Sequence, residues 1–98
     1  MRLAWTARAR TRLADIHDYI VQDSKQRALA MVERILDCAE TLLVAPRSGA
    51  RLQAFTEDET RELLERSYRI VYRVSAASIE ILTVKRHRQR LIDRPDDF

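Results

Sequence analysis

This chain of 98 residues is short of several residue types, and each shortage narrows what it is. Cysteine occurs once, at Cys38, so no internal disulfide can form and a reducing compartment is expected. No apolar run approaches the roughly 20 residues of a membrane-spanning helix. The opening Met1-Arg2-Leu3-Ala4-Trp5 lacks the apolar stretch of a secretion signal. A soluble cytoplasmic protein with no membrane association is the expectation. Histidine is limited to His17 and His87, and neither has a second ligand at metal spacing. No metal site or cofactor is expected. Gly49 is the only glycine, and Lys25 and Lys85 are the only lysines, so arginine supplies most of the positive charge. That bias is as compatible with genome composition as with function. Repeats, low-complexity segments and linkers are missing, which leaves one domain.

What is present is apolar patterning on a heavily charged background. Hydrophobic residues make up 46% of the chain, enough for one modest core, and the net charge is a mild +3. Such a balance permits an acidic partner without requiring nucleic acid. Arg2 to Trp5 predicts a short strand, and Thr6 is a suitable N-cap for a following helix. Ala9, Leu13, Ile16 and Ile20 recur on one face of that helix. A second helix is expected over residues 25–44, capped by Asp23 or Ser24. Ala28, Val32, Ile35, Ala39 and Leu42 form one stripe along it, and Leu29, Leu36 and Leu43 form another at seven-residue spacing. With about 100° per residue the stripes lie side by side. This apolar face is wider than one neighbouring helix needs, so either the sheet takes all of it or part is left for a partner.

Pro46 and Gly49 punctuate the end of the second helix, and residues 50–58 read as a loop or weak strand. Residues 60–65 read as a strand, although Glu62-Leu63-Leu64-Glu65 is locally ambiguous with helix. Residues 68–74 are the clearest strand, with Tyr68, Ile70, Tyr72 and Val74 on one face and Arg69, Val71 and Arg73 on the other. A short connection leads to a strand at residues 79–84 with few polar positions, which predicts an interior place in the sheet. The order predicts an α+β fold: an N-terminal strand, a two-helix hairpin, then a three-stranded antiparallel C-terminal sheet.

The order and spacing of these pieces resemble the ParE/RelE superfamily of toxins from type II toxin–antitoxin systems. The resemblance covers about 90 residues. It is carried by Leu3-Ala4-Trp5-Thr6-x-x-Ala9, by Leu13-x-x-Ile16-x-x-Tyr19-Ile20, and by Pro46 and Gly49 at the family's turn. Its most specific part is Arg61-x-Leu63 followed by Tyr68-x-Ile70-x-Tyr72-x-Val74. Ile79-x-Ile81-Leu82-x-Val84 and a His/Arg cluster complete it. The resemblance implies one of two functions on a shared scaffold. The ParE class poisons DNA gyrase; the RelE class resembles a ribosome-dependent mRNA endonuclease. It also implies a cognate antitoxin, commonly with a disordered acidic C-terminal part. DNA contact is then indirect, through that antitoxin.

Cutting RNA through its 2′-hydroxyl needs a base, an acid and cations around the phosphorane. His87 would be base or acid here, with Arg61, Arg86 and Arg88 as phosphate partners. Neighbouring arginines would favour the neutral imidazole, which suits a base. Against this reading, Glu57, Asp58 and Glu59 stand where RelE-like nucleases carry cations, and no tyrosine follows His87. The ParE branch is therefore favoured, with no firm catalytic residue. For the antitoxin, Leu29, Leu36 and Leu43 are expected to receive apolar side chains, and Arg86, Arg88 and Arg90 to meet carboxylates. Plainer roles are also open. Arg61 could pair with a carboxylate such as Glu80. Tyr68 and Tyr72 could be packing residues, His17 a surface residue, Cys38 inert core, and residues 85–90 a solvated tail.

Overall fold

The computed structural model describes residues 1–52 and 59–86. The elements are β1 (Arg2–Trp5), α1 (Ala7–Val21), α2 (Lys25–Glu40), β2 (Ala50–Arg51), β3 (Glu59–Glu65), β4 (Tyr68–Val74) and β5 (Ser78–Arg86). A short 3₁₀ turn, Thr41–Leu43, extends α2. The strands form one five-stranded sheet in the order β1-β5-β4-β3-β2. The α+β class expected from the sequence is present, but a sheet of three C-terminal strands is too small. The N-terminal strand joins the same sheet by pairing parallel to β5, with Leu3 opposite Ile79 and Trp5 opposite Ile81. The two-residue β2 pairs antiparallel to β3. These additions have a common cause: β5 and β3 would otherwise expose unpaired N–H and C=O groups along their outer edges.

One face of the sheet carries the helices. α1 packs over β5 and α2 over β3. Ala9 of α1 and Ala28, Ile35, Ala39 and Leu42 on the α2 side are buried, as the first apolar stripe predicted. Ala9, Ile35, Ala39 and Leu42 meet Tyr68, Ile70, Tyr72 and Val74 of β4 and Ile79, Ile81 and Val84 of β5. The spacing of that last set breaks strict alternation. Val71 pairs with Thr83 while Tyr72 pairs with Ile81, so Leu82 is an extra residue in β5. This bulge turns Val84 rather than Thr83 toward the helices.

The start of α1 is fastened to the bulge. The Thr6 hydroxyl accepts the Ala9 N–H at 3.1 Å, which makes it the N-cap that the sequence predicts. The same oxygen lies 2.9 Å from the Ile81 carbonyl and 3.1 Å from that of Leu82, at the site of irregular pairing. The Thr6 N–H also donates to Ile81 O at 3.1 Å. Ser24 caps α2 by accepting from Arg27 N–H at 3.1 Å. The α-helix itself stops at Glu40 rather than at Val44, and its last carbonyls are met by the tighter turn that follows. Among the described residues, no helix is long and apolar enough to cross a membrane.

Candidate functional site

Three regions bear on function: a clip of polar side chains at the α2–β2 junction, a groove at the opposite end of the sheet, and the outer flank of α2. The clip is built on Tyr72 in mid-sheet. Its hydroxyl accepts the Gly49 N–H at 2.9 Å. A Cβ at position 49 would lie 2.5 Å from the Glu62 carbonyl oxygen and 2.6 Å from the Tyr72 hydroxyl, so only glycine fits there. Burial pushes the Tyr72 phenol up from its usual value, and the Gly49 bond and the Arg61 charge offset part of that rise. Arg61, opposite Tyr72 across the β3–β4 ladder, donates to Gly49 O at 2.8 Å. The Glu59 carboxylate sits between Arg47 at 2.8 Å and Arg61 at 3.5 Å.

Arg61 therefore pairs with Glu59 and not with Glu80, the partner considered from sequence. Glu80 is held by Arg73 at 2.8 Å, its registered neighbour on the face away from the helices. Arg61 is also remote from Arg86. Arg61 pairs with Tyr72, whereas Arg86 pairs with Tyr68, four residues away along β4, on its other side. At about 3.3 Å per residue and 4.8 Å per strand, their backbones are separated by about 13 Å along the sheet and about 10 Å across it. Arg61 and Arg86, expected to share one phosphate on the nuclease reading, are at opposite ends of the sheet. His87, Arg88 and Arg90 lie outside the described residues, as do Glu57 and Asp58.

Arg86 instead rims a groove of about 760 Å³ between the end of α1, the first half of α2 and the β3–β4 turn. Its guanidinium stacks on the Tyr19 ring with 4.4 Å to the centroid. Arg27, Arg34 and Arg66 line the same groove, together with Ile20, Met31 and Asp23. Arg34 Nε is sheltered from solvent and has no hydrogen-bond acceptor among the described residues, its nearest carboxylate oxygen being that of Glu65 at 3.9 Å. Arg66, at the β3–β4 turn, has φ of 53°. This left-handed geometry is uncommon for arginine, and Arg66 and Ser67 of the turn line the groove. Four arginines, Arg27, Arg34, Arg66 and Arg86, line this end of the molecule. The contribution of Arg27, Arg34 and Arg66 escaped the sequence reading, although the seven-residue spacing of Arg27 and Arg34 was a visible sign.

The outer flank of α2 is apolar. Leu29, Leu36 and Leu43 are 56%, 38% and 42% exposed, so the sheet does not absorb the second stripe. Val44 at its end is 89% exposed. At about 100° per residue these leucines point roughly opposite to Arg27 and Arg34, so the groove and the apolar seam occupy the two flanks of one helix. Cys38 is half-buried against the core, and its thiol is pushed up by burial and then by Glu65. It has the character of an unreactive packing residue. His17 lies 3.2 Å from Asp18 near the surface of α1. Among the described residues no group of three potential ligands could hold a metal ion.

Comparison with known proteins places this architecture. A family model described as the ParE toxin of the type II toxin–antitoxin system parDE matches residues 3–91. The chain belongs to the ParE toxin family. A curated relative, "Putative toxin Y4kP" of Sinorhizobium fredii, is 38% identical over 93 residues, covering 91% of each chain. Among solved structures, a chain from the chromosomal ParDE system of P. aeruginosa superimposes with a TM-score of 0.71 at 33% identity. That match covers 88% of this chain and 95% of the other. The ParE family match spans both candidate surfaces, the α2 seam and the groove rim.

Proposed function

We propose that this chain is a gyrase-poisoning toxin kept silent in the cytoplasm by a cognate antitoxin that docks on α2 and the groove beside it. The observation that carries the proposal is the exposed seam of Leu29, Leu36 and Leu43 on a helix whose other flank is lined with arginine. Three large apolar side chains in a row on one surface mark an interaction site rather than scatter. A segment that folds on binding supplies apolar anchors to the seam and carboxylates to Arg86 and its neighbours, and occludes the toxic surface. Arg88 and Arg90 are assigned to the same carboxylate contacts. DNA is met only through the antitoxin.

The separation of Arg61 from Arg86 supports the ParE-type target over the nuclease alternative. Arg61 is committed to the Gly49 carbonyl and to Glu59, so it is part of the scaffold rather than a free phosphate ligand. The deciding experiment adds the purified protein to a gyrase supercoiling assay and, in parallel, to translating ribosomes loaded with a defined mRNA. Gyrase-dependent DNA breaks with intact mRNA are the expected result. Cut mRNA with normal supercoiling would establish the RelE-like reading, and no effect in either assay would leave a non-toxic antitoxin-binding module.

A further inference from the structure

The seam on α2 has a border whose charge is opposite to that of the groove. Glu33 follows Leu29 by four residues and Glu40 follows Leu36 by four, so each acid is the helical neighbour of a leucine. Asp37 lies beside both acids, four residues after Glu33 and three before Glu40. All three are in α2, and among the described residues none of them has an ion-pair partner. The arrangement is locally unfavourable. Acids at three- and four-residue spacing repel one another on a helix. Asp37 and Glu40 also sit in the last turn, where the helix dipole disfavours negative charge and where α2 has no basic residue. A helix built for its own stability would carry lysine or arginine there.

We infer that the α2 seam receives an amphipathic helix whose apolar ridge is flanked by lysine or arginine. Three features point to the same occupant. The leucines repeat every seven residues, the spacing that fits a helical ridge. The acidic border then lies where the flanking residues of that helix would project. Among the described residues the charge has no ion-pair partner, and docking of such a helix supplies one. A second copy of this chain does not fit, because two such seams would bring acid against acid. An acidic segment does not fit for the same reason, and its place is the arginine groove on the other flank. This inference rests on the antitoxin reading only for the identity of the partner, which would carry a basic-flanked helix and a separate acidic stretch.

The test uses two synthetic helical peptides of about 21 residues, with leucine ridges at heptad spacing and either lysine or glutamate flanks. Each is titrated into the full chain by calorimetry. The lysine peptide is expected to bind about tenfold more tightly than the glutamate peptide near 0.05 M salt, with most of the difference lost near 0.5 M. The variant Glu33→Gln, Asp37→Asn, Glu40→Gln is expected to lose that discrimination. Free of peptide, the same variant is expected to melt higher by about 3–6 °C, because the repulsion and the dipole conflict are removed. Leu36→Glu is expected to abolish binding of the lysine peptide with the circular dichroism unchanged. Equal affinity for the two peptides, tighter binding of the glutamate peptide, or no binding of either overturns the inference. So does sedimentation as a dimer that Leu36→Glu converts to a monomer. Supercoiling measured on the same preparation separates this outcome from failure of the toxin reading, since it does not depend on the peptides.

Discussion

Replacing Tyr72 by phenylalanine removes one oxygen and leaves the buried Gly49 N–H without its acceptor. That loss is expected to cost about 1–3 kcal/mol, measurable as a lower urea midpoint with unchanged slope. Gly49→Ala is expected to be at least as damaging, by about 2–4 kcal/mol, because the new methyl group meets the Glu62 backbone as well as the buried Tyr72 hydroxyl. Tyr72 also gives stability a pH dependence of definite sign. Its proton is held more tightly in the fold than in the unfolded chain, so its contribution is complete below about pH 10 and is lost as pH rises through the higher folded value. In tyrosinate absorbance near 295 nm, the difference between wild type and Tyr72→Phe is expected to grow only above pH 10. The importance of Tyr72 as a packing residue was visible in the alternation of β4. Its bond to Gly49, and the choice of Glu59 over Glu80 by Arg61, were not. Both acids are close enough in sequence to be candidates, and only the register of the strands decides between them.

Among the elements, the helices were the most legible, because each has a polar cap followed by apolar residues at helical spacing. Thr6 was recognised as such a cap, but its second role was hidden. The hydroxyl also serves two carbonyls at the β5 bulge, which lie 75 and 76 residues away in sequence. Thr6→Ala is therefore expected to cost more than an ordinary capping loss of about 1 kcal/mol, whereas Ser24→Ala, which has no such long-range bond, is expected to cost about that amount. Equilibrium unfolding of the two variants side by side checks the difference. The strands were less legible. A bulge inserts one residue without leaving a compositional mark, and a two-residue strand such as β2 is below what any pattern can resolve. The exposed second stripe of α2 could be placed on the helix from sequence. Whether the sheet would cover it depended on how α2 sits over β3, which is a matter of packing.

For the whole molecule, the least expected feature is the closure of the sheet by its N-terminal strand. The apolar residues Leu3 and Trp5 pack against the core, and β1 shields the outer edge of β5. Removal of residues 1–5 is expected to abolish cooperative thermal unfolding rather than merely lower its midpoint, as followed by calorimetry. It deletes half of a ladder and uncovers Ile79 and Ile81 together. The fold class could be read from the order of helices and strands, since early helices and late strands imply an α+β arrangement. The placing of β1 could not, because a strand of four residues carries no sign of which distant partner it will choose.

That choice also sets a timetable. β1 is made well before β5, the neighbour it pairs with. The α1–α2 hairpin is built from nearby residues and needs no such wait. A nascent chain thus shows its leucine-bearing helix while the sheet is still incomplete. If the proposed antitoxin docks on this seam, it can grip the chain before the sheet is finished, and harm is forestalled rather than reversed.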